Sequence, residues 1–260
     1  METIHRNYRG KEYDYQTDQG VIGRDYYKDH LVSQLHDYVL PLVDDSGNGI
    51  AVLDMATGHG YSAVIMADYY RDRVAKVVAY DINPCAVEMA HRNASRHACE
   101  RIIDFRVGTL YEPLHAGERF DLVLSALPPI PVTTEQLSQM PKDVQSHHWV
   151  ASTAGSTGRD LLDAMIKGAP PYLRGNGIIA TATADFQNAI RHTCAVMEEN
   201  GFQPWRAGEP KEQEIRNTKL TALAKENILK LGYTFSKNRN GEEIFFIETY
   251  VGKKMPVDIH

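Results

Sequence analysis

Residues 50–60, IAVLDMATGHG, constrain the fold more than any other stretch. The apolar residues Ile50 to Leu53 run into Asp54, and read as a buried parallel strand. Thr57-Gly58-His59-Gly60 follows at once, and Tyr61 to Tyr70 has the pattern of a helix. A strand that turns through glycines into a helix sets backbone N–H groups and a helix N-terminus beside whatever binds there. Glycine at 58 and 60 is expected where a ligand approaches too closely for a Cβ. Two glycines in one such turn are common, so the residues downstream decide how much the turn means.

Downstream, further strands recur at regular spacing. Lys76 to Tyr80 is a strand ending at Asp81, and Pro84 opens a helix, a position that has no N–H to lose. An acid roughly twenty residues beyond the glycine turn, at the tip of the next strand, is placed to accept both hydroxyls of a ribose. The third strand is Ile102 to Val107, leading into Gly108-Thr109-Leu110, and the fourth is Phe120 to Ser125, leading into Ala126-Leu127-Pro128-Pro129. Gly177 to Thr183 is a fifth, Asp185 to Asn200 a helix, Phe202 to Ala207 a strand, and Ile244 to Val251 a last strand in an antiparallel edge hairpin. Lys211 to Leu231 lies where such folds have a short connection, and is expected either to cap the pocket or to form a homodimer surface.

These stretches carry a resemblance. LDMATGHG, AYDINPCAVEMAHRNA, RVGTLYEPL and FDLVLSALPPIP, in that order, resemble a class I S-adenosylmethionine-dependent methyltransferase. Within that superfamily they are similar to the HemK/PrmC-type glutamine N5-methyltransferases, over about residues 50 to 183, including GSTGRDLLDAMIKGAPPYLRGNGIIA. The resemblance implies S-adenosylmethionine as co-substrate. It sets Asp54, Thr57, Gly58 and Gly60 around the methionine moiety, Asp81 on the ribose, and Ile82 against the adenine. Thr109 and Leu110 complete the adenine side, with Thr109 where the family usually has an aspartate, and Ala56 stands where a first glycine is frequent. Ser125 closes the cofactor set.

The acceptor loop departs from the family. Where the family has Asn-Pro-Pro-Tyr, this chain has Ala126-Leu127-Pro128-Pro129. An asparagine grips a planar nitrogen with both a carbonyl and an NH2, and alanine offers neither. Glutamine or adenine methylation by the family route is therefore not expected, and Ala126, Leu127 and Pro128 are taken as substrate-facing. His147 and His148 replace the usual Glu-Pro; one of them, here His147, is a candidate base. They form no metal site, since no third and fourth ligands stand at a recognisable spacing.

Ahead of the first strand, residues 1–23 are polar and turn-rich but carry Tyr8, Tyr13 and Tyr15. One reading is a flexible arm whose tyrosines lie on the surface. The other is a lid that brings Tyr13, Tyr15 and Tyr26 to a sulfonium, with Tyr15 and Ser125 joining His147 as catalytic candidates. Arg24 to Val43 follows as an amphipathic helix.

The expectation is a Rossmann-like, doubly wound α/β fold with a seven-stranded, mostly parallel sheet: residues 1–45 an N-terminal helical lid segment, 46–260 the cofactor domain. Of 260 residues, 28 are basic and 34 acidic, giving a net charge of −6, which argues against nucleic acid as a partner. Three scattered cysteines and the lack of a long apolar run suit a cytoplasmic chain with no membrane span. The function expected is methyl transfer to a small molecule. The alternative is attack on the amino-acid arm of the same co-substrate, by 3-amino-3-carboxypropyl transfer or by cyclisation to azetidine-2-carboxylate, releasing methylthioadenosine. A module that only binds the nucleoside is the third class.

Overall fold

A computed structural model describes residues 1–18, 21, 25–44, 49–140, 154–184, 189–215 and 219–256. The chain opens with a hairpin, β1 (Glu2–Tyr8) and β2 (Lys11–Thr17), followed by α1 (Tyr26–Gln34). The core then alternates: β3 (Ile50–Met55), α2 (Tyr61–Val64), β4 (Val74–Asp81), α3 (Pro84–Arg96), β5 (Ile103–Val107) and β6 (Phe120–Ser125). The second half has α4 (Thr134–Ser138), α5 (Asp160–Gly168), β7 (Leu173–Ala184), α6 (Ala189–Glu199), β8 (Phe202–Glu214), α7 (Lys219–Lys230), the two-residue β9 (Ser236–Lys237) and β10 (Glu243–Lys254).

The sheet order is β5-β4-β3-β6-β7-β10-β8, with β9 added alongside β10. Strands β3 to β7 pair in parallel, whereas β10 is antiparallel to both β7 and β8. This is the doubly wound, mostly parallel sheet, and its order reverses between β3 and β6, where folds of this kind bind ligands. The parallel strands are buried on both faces, which is why they read as continuous apolar runs. One face carries Val52, Leu124 and Ala180 under α1 and the hairpin; the other carries Leu53, Val123 and Ile179 under α5.

The N-terminus corrects the arm-or-lid expectation. It is a closed hairpin, paired from Glu2↔Thr17 to Tyr8↔Lys11, and Ile4, Tyr8, Tyr13 and Tyr15 are buried. Tyr8 and Tyr70 share a hydrogen bond of 2.5 Å between their hydroxyls, and Tyr13 Oη donates to Asp68 Oδ2 at 2.7 Å. Asn93 of α3 joins the hairpin to the glycine turn: its Oδ1 accepts from Gln16 N–H, and its Nδ2 donates to the carbonyls of Gln16 and His59. The polar alternation of β1 and β2 hides this, because one face of each strand points inward and the other to water. Tyr8, Tyr13 and Tyr15 of the hairpin and Leu31 of α1 thus share one apolar cluster with the sheet.

Helix α7, after β8, packs back on the domain. Ala224 of α7 packs with Val132 and Leu137, and Asn227 Nδ2 donates to Pro131 O at 2.6 Å. Ile228 packs on Ala184 at the carboxyl end of β7, beside Tyr27, Tyr233, Phe235 and Phe245. β8 is longer than its apolar start suggests, because ladder pairing with β10 carries its polar second half to Glu214.

Candidate functional site

The site lies where β3, β4 and β5 end. Asp54, near the end of β3, is fully buried, and its Oδ2 accepts from Thr57 Oγ1 at 2.6 Å and Ser62 Oγ at 2.7 Å. Its Oδ1 accepts from Lys28 Nζ at 2.9 Å, an ion pair with both side chains out of water. The turn after it is left-handed at three positions: Ala56 (φ 54°), Gly58 (φ 58°) and Gly60 (φ 89°). At Gly60 a Cβ would meet Ala90 Cβ at 2.9 Å, so this glycine serves the close approach of α2 to α3 rather than a ligand. At Gly58 only the backbone angle requires glycine; space beyond it is open. Ala56 holds a conformation that costs an L-residue roughly 1–2 kcal/mol.

Asp81 closes the cradle. Its Oδ2 accepts from Gly58 N–H and its Oδ1 from Asn83 N–H, both at 3.0 Å. Each carboxylate oxygen has two lone pairs, so each keeps capacity for a hydroxyl. The turn after β5 is tied to the same place, since Gly108 N–H donates to Asp81 O at 3.0 Å and Tyr80 Oη donates to Leu110 O. Ile82 is an apolar side chain left 58% exposed beside Asp81. The structure therefore places Asp54, Thr57, Gly58, Asp81 and Ile82 at one end of the sheet, with the turn that carries Thr109 and Leu110 tied beside them.

Three polar groups of the cradle, Asp25, Lys28 and Ser62, lie outside the motifs that the sequence displays. Asp25 is the N-cap of α1 and accepts from the N–H groups of Tyr27 and Lys28. Burial pushes the carboxyls of Asp25 and Asp81 above their usual range, against the pull of backbone donors and of Lys28. Lys28 is the ammonium facing Asp54, and Ser62 a second hydroxyl on it. The signal for Lys28 is its place in the apolar stripe Lys28, Leu31, Val32, Leu35, where a lysine has to find a buried partner. Beneath the turn, His59 is buried against Tyr15 and Tyr61, and desolvation lowers its pKa to about 3, so it is neutral.

Other expected site residues lie elsewhere. Tyr15 is buried among Tyr13, Tyr61, His59 and His97, and burial drives its hydroxyl far up in pKa, which unfits it as a base. Tyr13 is occupied by Asp68, and half-buried Tyr26 packs against the same core. Ser125 Oγ donates to Met55 O at 3.2 Å, a strand-to-strand tie. Ala126 and Leu127 are buried, each in a different apolar cluster, and Pro128 is half-buried. His147 lies outside the described residues.

Comparison with known proteins gives the family. The sequence pattern of a family described as "Methyltransferase domain" matches residues 46–231, most of the chain. The chain belongs to this family. A methyltransferase domain of this kind takes S-adenosylmethionine as co-substrate, and the cradle suits it. Buried Asp54 and Asp81 and half-buried Asp25 outnumber the one ammonium of Lys28, and the co-substrate, with a sulfonium and an ammonium against one carboxylate, brings a net positive charge to them.

Among its relatives is a release factor glutamine methyltransferase of Xylella fastidiosa (strain 9a5c), 40% identical over 142 residues, which cover 55% of this chain and 50% of the relative. Another is a ribosomal protein uL3 glutamine methyltransferase of Francisella tularensis, 29% identical over 154 residues, 59% of this chain and 48% of the relative. The chain thus spans about half the length of the curated relatives it matches. A solved structure, the T. thermophilus 16S rRNA N2 G1207 methyltransferase with AdoMet and guanosine, superposes with a TM-score of 0.59 at 16% identity. It covers 97% of this chain and 50% of that one, and shows the shared fold. These names overturn the expectation of a small-molecule acceptor with no nucleic acid among the partners, because the relatives are named for a release factor and a ribosomal protein. Among the described residues no helix is long and apolar enough to cross a membrane.

Proposed function

We propose that this chain transfers the methyl group of S-adenosylmethionine to a side chain presented by a protein. The observation that carries the reading is the acidic cradle of Asp54, Asp81 and Asp25 around the glycine turn. The co-substrate supplies an electrophilic methyl on a sulfonium. In this reading Asp81 accepts the ribose hydroxyls, Ile82 covers one adenine face, and Thr109 with Leu110 borders its edge. Asp54, Thr57 and Gly58 hold the methionine end. The chain's own contribution to rate is then to hold donor and acceptor in line, with reacting atoms roughly 3–3.5 Å apart.

The protein acceptor is supported by the names of the relatives and by the wall that α7 builds beside the loop after β6. Ala126 cannot grip a planar amide, so the acceptor is held by other groups than the asparagine of the family. Incubation with tritium-methyl S-adenosylmethionine and a cell extract, followed by separation of protein, nucleic acid and small metabolites, tests this. Label in one or a few protein bands, weaker with Asp81→Ala at limiting co-substrate, is expected; label confined to another fraction contradicts the protein acceptor.

A further inference from the structure

Among the described residues, Lys28 is the cation of the cradle whose role the fold alone leaves open. Its side chain is 2% exposed, and Asp54 beside it is fully buried. Taking two such charges out of water costs several kcal/mol each, and a buried pair seldom returns more than it costs. An apolar residue would continue the stripe of Leu31, Val32 and Leu35 at no such cost. The geometry around Asp54 is also uneven. Two hydroxyls, Thr57 and Ser62, already fill Oδ2, while Lys28 alone serves Oδ1 at 2.9 Å. An ammonium has three N–H donors. Among the described residues, only Asp54 accepts from Lys28 Nζ.

We infer that Lys28 bridges Asp54 and the carboxylate of the co-substrate's amino-acid arm, so that the site reads the whole α-amino acid end. Asp54, near the strand end and held by Thr57 of the turn, then has the charge for the α-ammonium, and Lys28 has the charge for the carboxylate. A paired cation and anion fixed in a dry site match a zwitterion by charge, where a lone Asp54 would match only half of it. Electrostatics within the cradle favour the same arrangement: Lys28 already offsets the burial of Asp25 and Asp81, and an incoming carboxylate needs a positive group among these acids. The inference rests on the co-substrate reading above and adds a specificity determinant to it.

Calorimetric titration with three nucleosides tests it. They are S-adenosylhomocysteine, its analogue lacking only the carboxylate, and 5′-methylthioadenosine, which lacks the amino-acid end altogether. The wild-type protein is expected to prefer S-adenosylhomocysteine over the decarboxylated analogue by about tenfold or more, the worth of one charge-assisted contact. In Lys28→Met that preference should shrink to within about twofold, with methylthioadenosine affinity nearly unchanged. Because Lys28→Met leaves Asp54 buried without its partner, Lys28→Met/Asp54→Asn serves as the charge-neutral companion, and the same ratio is read in it. A preference that survives both variants, or an equal loss for all three nucleosides, overturns the role of Lys28. Binding of none of them to the wild-type protein instead overturns the co-substrate reading, and Lys28 falls with it.

Discussion

The two sides of the cleft are built differently. On the cofactor side, Asp54, Thr57, Ser62, Gly58 and Asp81 come from two consecutive strand–turn–helix units, and hydrogen bonds within and between those two units fix them, with Lys28 of α1 added on Asp54. On the other side, the loop at residues 130–132, helix α4, helix α7 and Tyr27 come from segments far apart in the chain, and apolar contact, with Asn227 donating to Pro131 O, holds them. Polar groups at a strand end must be satisfied locally or by a ligand, so their chemistry is written in short motifs. Apolar walls are satisfied by any neighbour of the right shape, so their arrangement is written nowhere in one place.

The largest effect expected concerns the hairpin, which supports the cofactor side from below. Ile4, Tyr8, Tyr13 and Tyr15 are buried, each worth roughly 1.5–3 kcal/mol relative to exposure. Against a typical total stability of about 5–15 kcal/mol, deletion of residues 1–17 should abolish a cooperative thermal transition, and Tyr15→Ala alone should cost about 3–5 kcal/mol in denaturant unfolding. A truncated chain that melts like the full one would show that the hairpin is an accessory and that the turn stands alone.

A smaller effect separates the two sides by ligand. Asp81→Ala should weaken binding of S-adenosylhomocysteine by about tenfold or more, measured by calorimetry. Its thermal midpoint should move little, since Asp81 is a buried carboxylate whose burial already opposes its charge. An unchanged dissociation constant would remove Asp81 from the ribose.

The smallest effect is one of pH. His59 is neutral in the folded chain down to about pH 3, whereas in the unfolded chain it takes up a proton near its ordinary pKa of about 6.5. The unfolded state therefore binds more protons between these values, and stability from this group is lost as pH falls through that window. By pH 5 the loss amounts to roughly 1–2 kcal/mol. Asp29, raised to about 6 by burial, works in the opposite sense, so the two are separated by substitution. The stability difference between His59→Gln and the wild-type protein should shift in favour of the variant as pH drops from 7 to 5. A difference that is flat with pH would mean that the imidazole under the turn is solvated.

Legibility in the sequence follows the same division. IAVLDMATGHG and KVVAYD announce β3, β4 and their acids because strand periodicity and glycine act over a few residues. The hairpin is hidden because Tyr13 and Tyr15 alternate with polar residues, a pattern that a surface arm also shows until a second surface, here α2 and α3, covers one face. Lys28 is hidden because its partner lies in another element. The packing of α7 on Pro131 and Ala184 is only half visible: helical spacing marks the helix, but nothing in Leu223, Ala224 or Ile228 names the surface they cover.

The central claim is that the cradle delivers a methyl group, although the acceptor loop has lost its asparagine. Which bond to sulfur breaks decides it. Purified protein is incubated with S-adenosylmethionine, first alone and then with a cell extract containing its proteins, and the nucleoside product is identified by mass spectrometry. The account predicts S-adenosylhomocysteine, formed only when extract is present and reduced in Asp81→Ala at limiting co-substrate. Methylthioadenosine formed from the co-substrate alone would contradict it and assign the chemistry to the amino-acid arm.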